Sequence, residues 1–411
     1  MINFKKEQVE NIRQILFVGL FSFPMVPIKI INVLFFCFSI LTLILYLKEK
    51  PKFIFSEFKF YGFFMLPFLP YIAELLLYHN NPVVQFEFEK KLLFFIAPII
   101  FYLSFSLSSK IKIENAINCF LCSVSILSIL SFFSLLFLGN LFSPISYQNG
   151  AFELRRLFEE FSGQHPIYFG LFSSTASLWI IYYFNTYSKN LKWLLGISLF
   201  FMLFMNFLVA AKMPLIILVL GVLWIAYKKV NSLKKLLFIY TGIIIGLISI
   251  SFLVPSLRNR LIEVYNYGFG ESINNTLAER SMIFSCSKNI FLQDFLTGIG
   301  CRNTQGVLDY CYIWVKFYKG WNFHFNSHNQ FLTLGINYGI GIIALFTLLL
   351  VMLYRKINNH PLGFIYFCSV VLIMFTESIL ERQMGIYYFL FFGLLFVTTT
   401  YNKKATTANP K

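Results

Sequence analysis

Residues 324–341 read HFNSHNQFLTLGINYGIG and place His324 and His328, two of only five histidines, where a polar stretch of more than 60 residues meets about twenty apolar ones. Ser327 followed three residues later by Gln330 has the form of a capping box, which sets Ser327 at a helix N-cap and His328 at the first helical position. Unpartnered backbone N–H groups and the positive end of the helix dipole gather there, and both favour a neutral imidazole with anions nearby. Such a histidine can accept a proton near neutral pH while the helix end holds phosphate oxygens. The plainer reading, an interfacial polar residue at a helix end, fits the spacing equally well. Asn329, Thr333 and Asn337 continue as a polar i, i+4 stripe, and Gly335 with Gly339 forms G-x-x-x-G, which lets another helix approach closely.

Cations recur on what would be the same side. Arg155 and Arg156 precede His165, Lys212 interrupts FLVAAKMPLIILVL, Arg280 lies in ERSMIF, Arg302 follows GIG, and Glu377, Glu381 and Arg382 cap the penultimate apolar stretch; His79, His165 and His324 would share that side with His328. Singly, each charge reads as solvated or snorkelling. Together they would ring a cavity with positive charge beside one neutral base. That suits a lipid-linked diphosphate better than a proton path, which calls for buried carboxylates. A metal site shared by His324 and His328 is disfavoured, because no Cys or carboxylate stands close in sequence to complete a ligand set and the nearest upstream acid is Asp309. No G-x-S-x-G elbow is present for a nucleophilic triad.

The elements that must hold these residues are set by composition. Hydrophobic residues make up 58% of the 411-residue chain, charged residues 13%, and 53 residues are Phe, as in an integral membrane protein and unlike a soluble domain. Twelve apolar segments approach the roughly 17–25 residues a span needs: about 14–28, 30–47, 60–78, 92–107, 117–139, 165–185, 192–210, 213–227, 236–254, 329–353, 362–379 and 384–400. The first, fourth and eighth are the shortest. With the N-terminus inside, the inner segments carry 20 of the 34 basic residues against five acids, and the outer segments 14 against 13. Lys and Arg gather in cytoplasmic loops, so both termini are expected in the cytoplasm. The net charge of +16 is then a topology signal, and no nucleic-acid partner is assigned. The first apolar stretch lacks an A-x-A-like cleavage site, so a removed signal peptide is not expected.

These segments divide the chain into N-terminal spans over 1–254, a large outer loop over 255–327, and three C-terminal spans with a cytoplasmic tail over 328–411. The loop is too long and too aromatic to be a plain connector. Within it, NNTLAERSMIFSCSKNIFLQD spaces Leu277, Met282, Ile283, Ile290 and Phe291 as in a helix lying on a membrane surface, and LTGIGCRNTQG reads as a turn. A second outer segment, 140–164, carries the amphipathic ELRRLFEEFSGQHP. Cys37, Cys119, Cys122 and Cys368 fall in spans as small apolar side chains. Cys286, Cys301 and Cys311 fall in the outer loop; an oxidising compartment there would allow one disulfide, with Cys301–Cys311 the candidate pair and at least one thiol left free.

Four stretches, in order, resemble the O-antigen ligase and O-antigen polymerase superfamily of polytopic glycosyltransferases. FSGQHPIYFG is similar to the family's Gly-x-His-Pro segment opening a mid-chain span. AAKMPLI stands where members carry Ser-Arg before small and apolar residues, ERSMIFSCSKNIFLQDFLTGIG resembles the Arg-bearing helix that runs into a Pro-Leu-x-Gly-x-Gly turn, and SHNQFLTLGINYGIGIIAL resembles the His-Asn helix start with its glycines. The resemblance covers roughly 150–400. It implies an all-α, polytopic fold of about 12 transmembrane helices with one large periplasmic loop, in a bacterial inner membrane. It also implies metal-independent, cofactor-free transfer of a glycan from undecaprenyl diphosphate to an acceptor hydroxyl on the periplasmic face. Carried over by position, His328 would deprotonate the acceptor, Asn329 would orient it, Arg280 and Lys212 would bind the diphosphate, and His165 would line the same cavity, with Arg156 and Arg302 among its cations. Two departures stand out: Lys212 replaces the usual Arg and cannot make a bidentate fork to phosphate, and FLTGIGC lacks the proline.

The expected partners are the undecaprenyl-diphosphate-linked donor, lipid A-core as ligase acceptor, and the bilayer. A polymerase would instead use a second lipid-linked glycan as acceptor, and the shared motifs do not separate the two. A transporter or flippase of lipid-linked sugars is the alternative of another class, but the internal repeat common in such proteins is absent from the sequence.

Overall fold

The computed structural model describes residues 6–107, 111–137, 150–209, 212–232, 234–236, 240–242, 245–246 and 276–408. They are helical, with no strand among the described residues. The helices are α1 (Lys6–Leu20), α2 (Ile28–Glu49), α3 (Phe55–Gly62), α4 (Leu69–Leu77), α5 (Pro82–Lys91), α6 (Leu93–Ser106), α7 (Ile113–Phe137), α8 (Gly150–Ser162), α9 (Pro166–Tyr183), α10 (Lys189–Val209), α11 (Lys212–Lys229), α12 (Thr276–Gln293), α13 (Cys301–Trp314), α14 (Tyr318–Asn322), α15 (Gln330–Ile357), α16 (Pro361–Met374) and α17 (Gln383–Ala408).

Five helices among the described residues (α2, α7, α9 with the turn that follows it, α10 and α15) are long and apolar enough to cross a bilayer, and the bent pair α3–α4 makes six. The chain is therefore a polytopic, membrane-embedded helical protein. Helices α16 and the first part of α17 are apolar but shorter. The expected fourth and eighth segments coincide with α6 and α11, of 14 and 18 residues, whereas the first, 14–28, covers only the end of α1 and the turn before α2. The ninth, 236–254, and the part of the outer loop before residue 276 lie mostly outside the described residues.

Two units divide the chain, one of residues 1–119 with 279–411 and one of residues 120–278, cutting across the sequence divisions at 254 and 327. In the second unit α9 is buried along most of its length. Its small polar run lets neighbours close in: Ser173 Oγ donates to the Met202 carbonyl, Asn206 Nδ2 donates to Ser173 Oγ, and Ser174 Oγ donates to the Pro214 carbonyl. Small and hydroxylated residues serve this way where hydrocarbon gives no hydrophobic drive to helix association. In the first unit an aromatic core joins Phe17, Phe21, Phe101, Phe391 and Phe392.

Proline at the first position and a side-chain acceptor just before it start three helices. Asn81 Oδ1 accepts from the Val83 and Val84 N–H groups, His165 Nδ1 from Ile167 N–H, and His360 Nδ1 from Gly363 N–H. Proline at N1 gives up a donor that would be orphaned anyway, and an Asn cap such as Asn81 is worth about 1 kcal/mol. Two of the five histidines are thus used to begin helices.

Helix α15 is broken at Gly339, whose φ of 76° is left-handed. A break inside an apolar helix frees carbonyls that hydrocarbon cannot satisfy. The turn after α12 supplies the partners: Ile299 N–H donates to the Ile336 carbonyl at 2.9 Å, Gly300 N–H to the Asn337 carbonyl at 2.9 Å, and Ile340 N–H to the Phe295 carbonyl at 2.8 Å. A Cβ on Gly339 would stand 2.1 Å from the Leu296 carbonyl oxygen, and one on Gly298 would stand 2.4 Å from Tyr338 N. The G-x-x-x-G expectation is corrected here. Gly335 packs on the Phe291 ring, but Gly339 admits the backbone of a docked turn where a second helix was expected.

Candidate functional site

The site begins where the chain enters α15. Its N-cap is Asn329, whose Oδ1 accepts from Leu332 N–H at 3.0 Å. The expected cap at Ser327, with His328 at the first helical position, is therefore corrected by two residues. Asn is at least as good an N-cap as Ser, and Ser327 instead binds the Asn329 carbonyl and the Thr333 hydroxyl. His328 lies before the helix with φ 46°, held by its N–H to Asn326 Oδ1 at 2.9 Å. Its imidazole contacts a neighbouring side chain.

That neighbour is Glu377, in the turn after α16. Its Oε2 lies 2.9 Å from His328 Nδ1, and its Oε1 accepts from Arg280 of α12 at 2.6 Å. The other Arg280 amino group donates to the Thr376 carbonyl at 2.7 Å. Burial opposes ionisation of Glu377, but the His328 hydrogen bond and charge, together with the Arg280 guanidinium, outweigh it and hold the carboxyl below the usual carboxylate range. With the carboxylate against Nδ1, a neutral His328 ring would carry its proton on Nδ1 and present Nε2 as an acceptor, the tautomer a general base uses. The ring also packs edge-on against Phe325, centroids 5.7 Å apart.

Lys91, from α5, pins the turn that carries Glu377. This fully buried lysine donates to the Leu380 carbonyl and pairs with Glu381 at 2.9 Å, while Gln330 Oε1 accepts from Leu380 N–H at 2.8 Å. Breaking such a buried pair from one side typically costs about 3–5 kcal/mol. A polar cavity of about 70 Å³ adjoins the turn, lined in part by Glu87, Glu381, Asn326, Ser327, Thr333 and Asn337. Burial and the adjacent Glu381 push the Glu87 carboxyl up.

The expected residues separate into two groups. Arg280, Arg302, His328 and Asn329 belong to the first unit, and Arg280 meets His328 through Glu377. Asn329 Nδ2 donates to the Phe375 carbonyl at 3.0 Å, and the side chain in contact with the His328 ring nitrogen is Glu377. Arg302 opens α13 with its guanidinium 3.4 Å from the centre of the Tyr78 ring. Glu74 accepts from the Cys301 and Arg302 N–H groups at the same helix start. In the second unit, Arg156 pairs with Glu160 one turn on, His165 caps α9, and Lys212 opens α11 exposed. The stripe Asn329, Thr333, Asn337 is realised on one side of α15: Thr333 joins Ser327 and Ser378, and Asn337 joins Thr304 and Tyr71.

His324 faces Asp309 at 2.7 Å, so each histidine of the four-residue pair has its own carboxylate. No group of three or more His, Cys, Asp or Glu placed to hold a metal ion occurs among the described residues. The disulfide joins Cys286 of α12 to Cys311 of α13 and leaves Cys301 free, a correction to the expected Cys301–Cys311 pair. Both of those residues lie on α13, where ten residues put them about 15 Å apart, far beyond the roughly 7 Å limit for a bridge. Around the bridge, Ile283, Ile290, Leu308, Tyr312, Phe317 and Ile336 form a buried cluster. Helix α12 thus spends its apolar face on α13–α15, where a membrane surface was expected.

Glu377 was legible only as a charge capping a span. Its pairing with His328 spans 49 residues, and no local pattern signals it. No family model matches the chain, and no curated protein matches it.

Proposed function

We propose that the protein is an O-antigen ligase-type glycosyltransferase of the bacterial inner membrane, with twelve spans, both termini cytoplasmic and the site on the periplasmic side. The observation that carries the reading is the Arg280–Glu377–His328 chain, which joins a histidine, a carboxylate and a cation. In this mechanism His328 Nε2 takes the proton of the acceptor hydroxyl. The acceptor oxygen attacks the anomeric carbon, the bond from that carbon to the donor diphosphate oxygen breaks, and the diphosphate leaves with the electron pair. Arg280 is the cation assigned to that charge; a positioned cation and one aligned hydroxyl are the main requirements when the leaving group is already good. In-line attack inverts the anomeric centre.

The Cys286–Cys311 bridge supports an oxidising compartment for this face, in agreement with the basic residues of the inner segments. Lipid A-core is the acceptor assigned. The test is reconstitution of the purified protein in liposomes with an undecaprenyl-diphosphate glycan and, separately, lipid A-core or a second lipid-linked glycan. Transfer to lipid A-core supports the ligase, and joining of two lipid-linked glycans would make the protein a polymerase. Movement of the donor across the bilayer without joining would make it a flippase.

A further inference from the structure

An open groove of about 590 Å³ runs between α15 and α16, within the size range of pockets that hold a single small ligand. An aromatic pair stands at each end, Phe331–Phe375 with centroids 5.2 Å apart and Tyr354–Phe367 at 5.4 Å. Between them Leu350, Val351 and Val371 form an apolar wall interrupted only by Thr347. From Phe367 to Phe375, the C-cap of α16, eight helical steps rise about 12 Å, nearly half of a roughly 30 Å hydrocarbon core.

Cations stand near both ends, Arg355 and Lys356 following Tyr354 in the last turn of α15 and Arg280 at the Phe375 end. At the Phe375 end the groove meets the site directly: the Phe375 carbonyl accepts from Asn329, the next carbonyl, Thr376, accepts from Arg280, and the Arg280 side chain is 48% exposed there. A molecule suited to this surface has a long apolar chain and an anionic head that sits against Arg280. We propose that the groove holds the part of the donor's polyprenyl chain nearest the diphosphate, the remainder passing through the open side into the bilayer. This rests on the donor assigned above. It adds a recognition element for the lipid that lies outside the catalytic group and would align the anomeric carbon below His328.

The test has two arms. In the first, Val371→Trp fills the groove, and kcat/KM is compared for the undecaprenyl-diphosphate glycan and for the same diphosphoglycan on a two-carbon alcohol. The variant should lose at least tenfold of the wild-type preference for the long-chain donor; an unchanged preference overturns the groove. In the second, a diazirine-bearing undecaprenyl phosphate is photolysed with the wild-type protein in vesicles of phosphatidylglycerol and phosphatidylethanolamine, and labelled peptides are mapped. Labelling on α15 and α16 that undecaprenyl diphosphate displaces, and that added phosphatidylglycerol does not, is the expected result. Displacement by phosphatidylglycerol means ordinary bilayer lipid only, and labelling elsewhere also overturns the proposal. If the wild-type protein transfers no glycan while the label maps to the groove, the transferase reading falls and the lipid site stands.

Discussion

Glu377 Oε2 stands 2.9 Å from His328 Nδ1, and the contact joins residues that are 49 positions apart. On the transferase reading proposed above, a carboxylate in that position would orient the imidazole and stabilise the ring once protonated. Glu377→Gln removes the charge while keeping the size, so transfer should fall on the order of a hundredfold or more, with kcat affected more than KM for the acceptor. Initial rates with saturating donor check this, with detergent melting curves to show that the variant is folded.

The same carboxylate should give an acid limb to stability. Its folded pKa lies below the ordinary 4.5, so the stabilisation is fully present above about that pH and is lost as pH falls through the lower folded value. Melting temperature should be flat above about pH 5 and then drop more steeply in the wild type than in Glu377→Gln. Identical acid limbs in the two proteins would contradict the pairing.

The Cys286–Cys311 bridge ties the helix that carries Arg280 to α13. Cys286→Ser, or reduction of the wild type, should lower stability by about 2–4 kcal/mol, read as an earlier denaturation midpoint. Cys301→Ser should leave the bridge intact, and peptide mapping under non-reducing conditions will show which pair is joined.

Gly339 offers a sharper structural test. Gly339→Ala sets a Cβ against the Leu296 carbonyl at a left-handed φ, so backbone strain of about 1–3 kcal/mol is added to a clash that only backbone movement relieves. Gly335→Ala meets the Phe291 ring and the Ile343 terminal methyl, both of which can shift. The first variant should therefore give far less folded protein than the second, as judged by monodisperse yield in detergent.

Much of the helix placement could be read from the chain, because apolar length and turn chemistry are local. The 30–47 segment became α2, the 192–210 segment α10, and LTGIG a turn leading into α13. In Ser327-His328-Asn329-Gln330 two good capping residues stand two apart, so the local pattern does not decide between them, and Asn329 is the cap in the structure. The disulfide pairing is not legible locally, because it joins Cys286 of α12 to Cys311 of α13 across 25 residues. His328 and Arg280 were legible as chemistry-bearing residues. Their connection through Glu377 was not, since it depends on how α12, α15 and the turn after α16 meet.

The most direct measurement is transfer by purified, reconstituted protein, wild type against His328→Ala, with an undecaprenyl-diphosphate glycan and lipid A-core under matched expression and melting behaviour. Loss of glycan joining in the variant, with donor binding retained, is the result expected if His328 is the base. Joining by His328→Ala at the wild-type rate would contradict it.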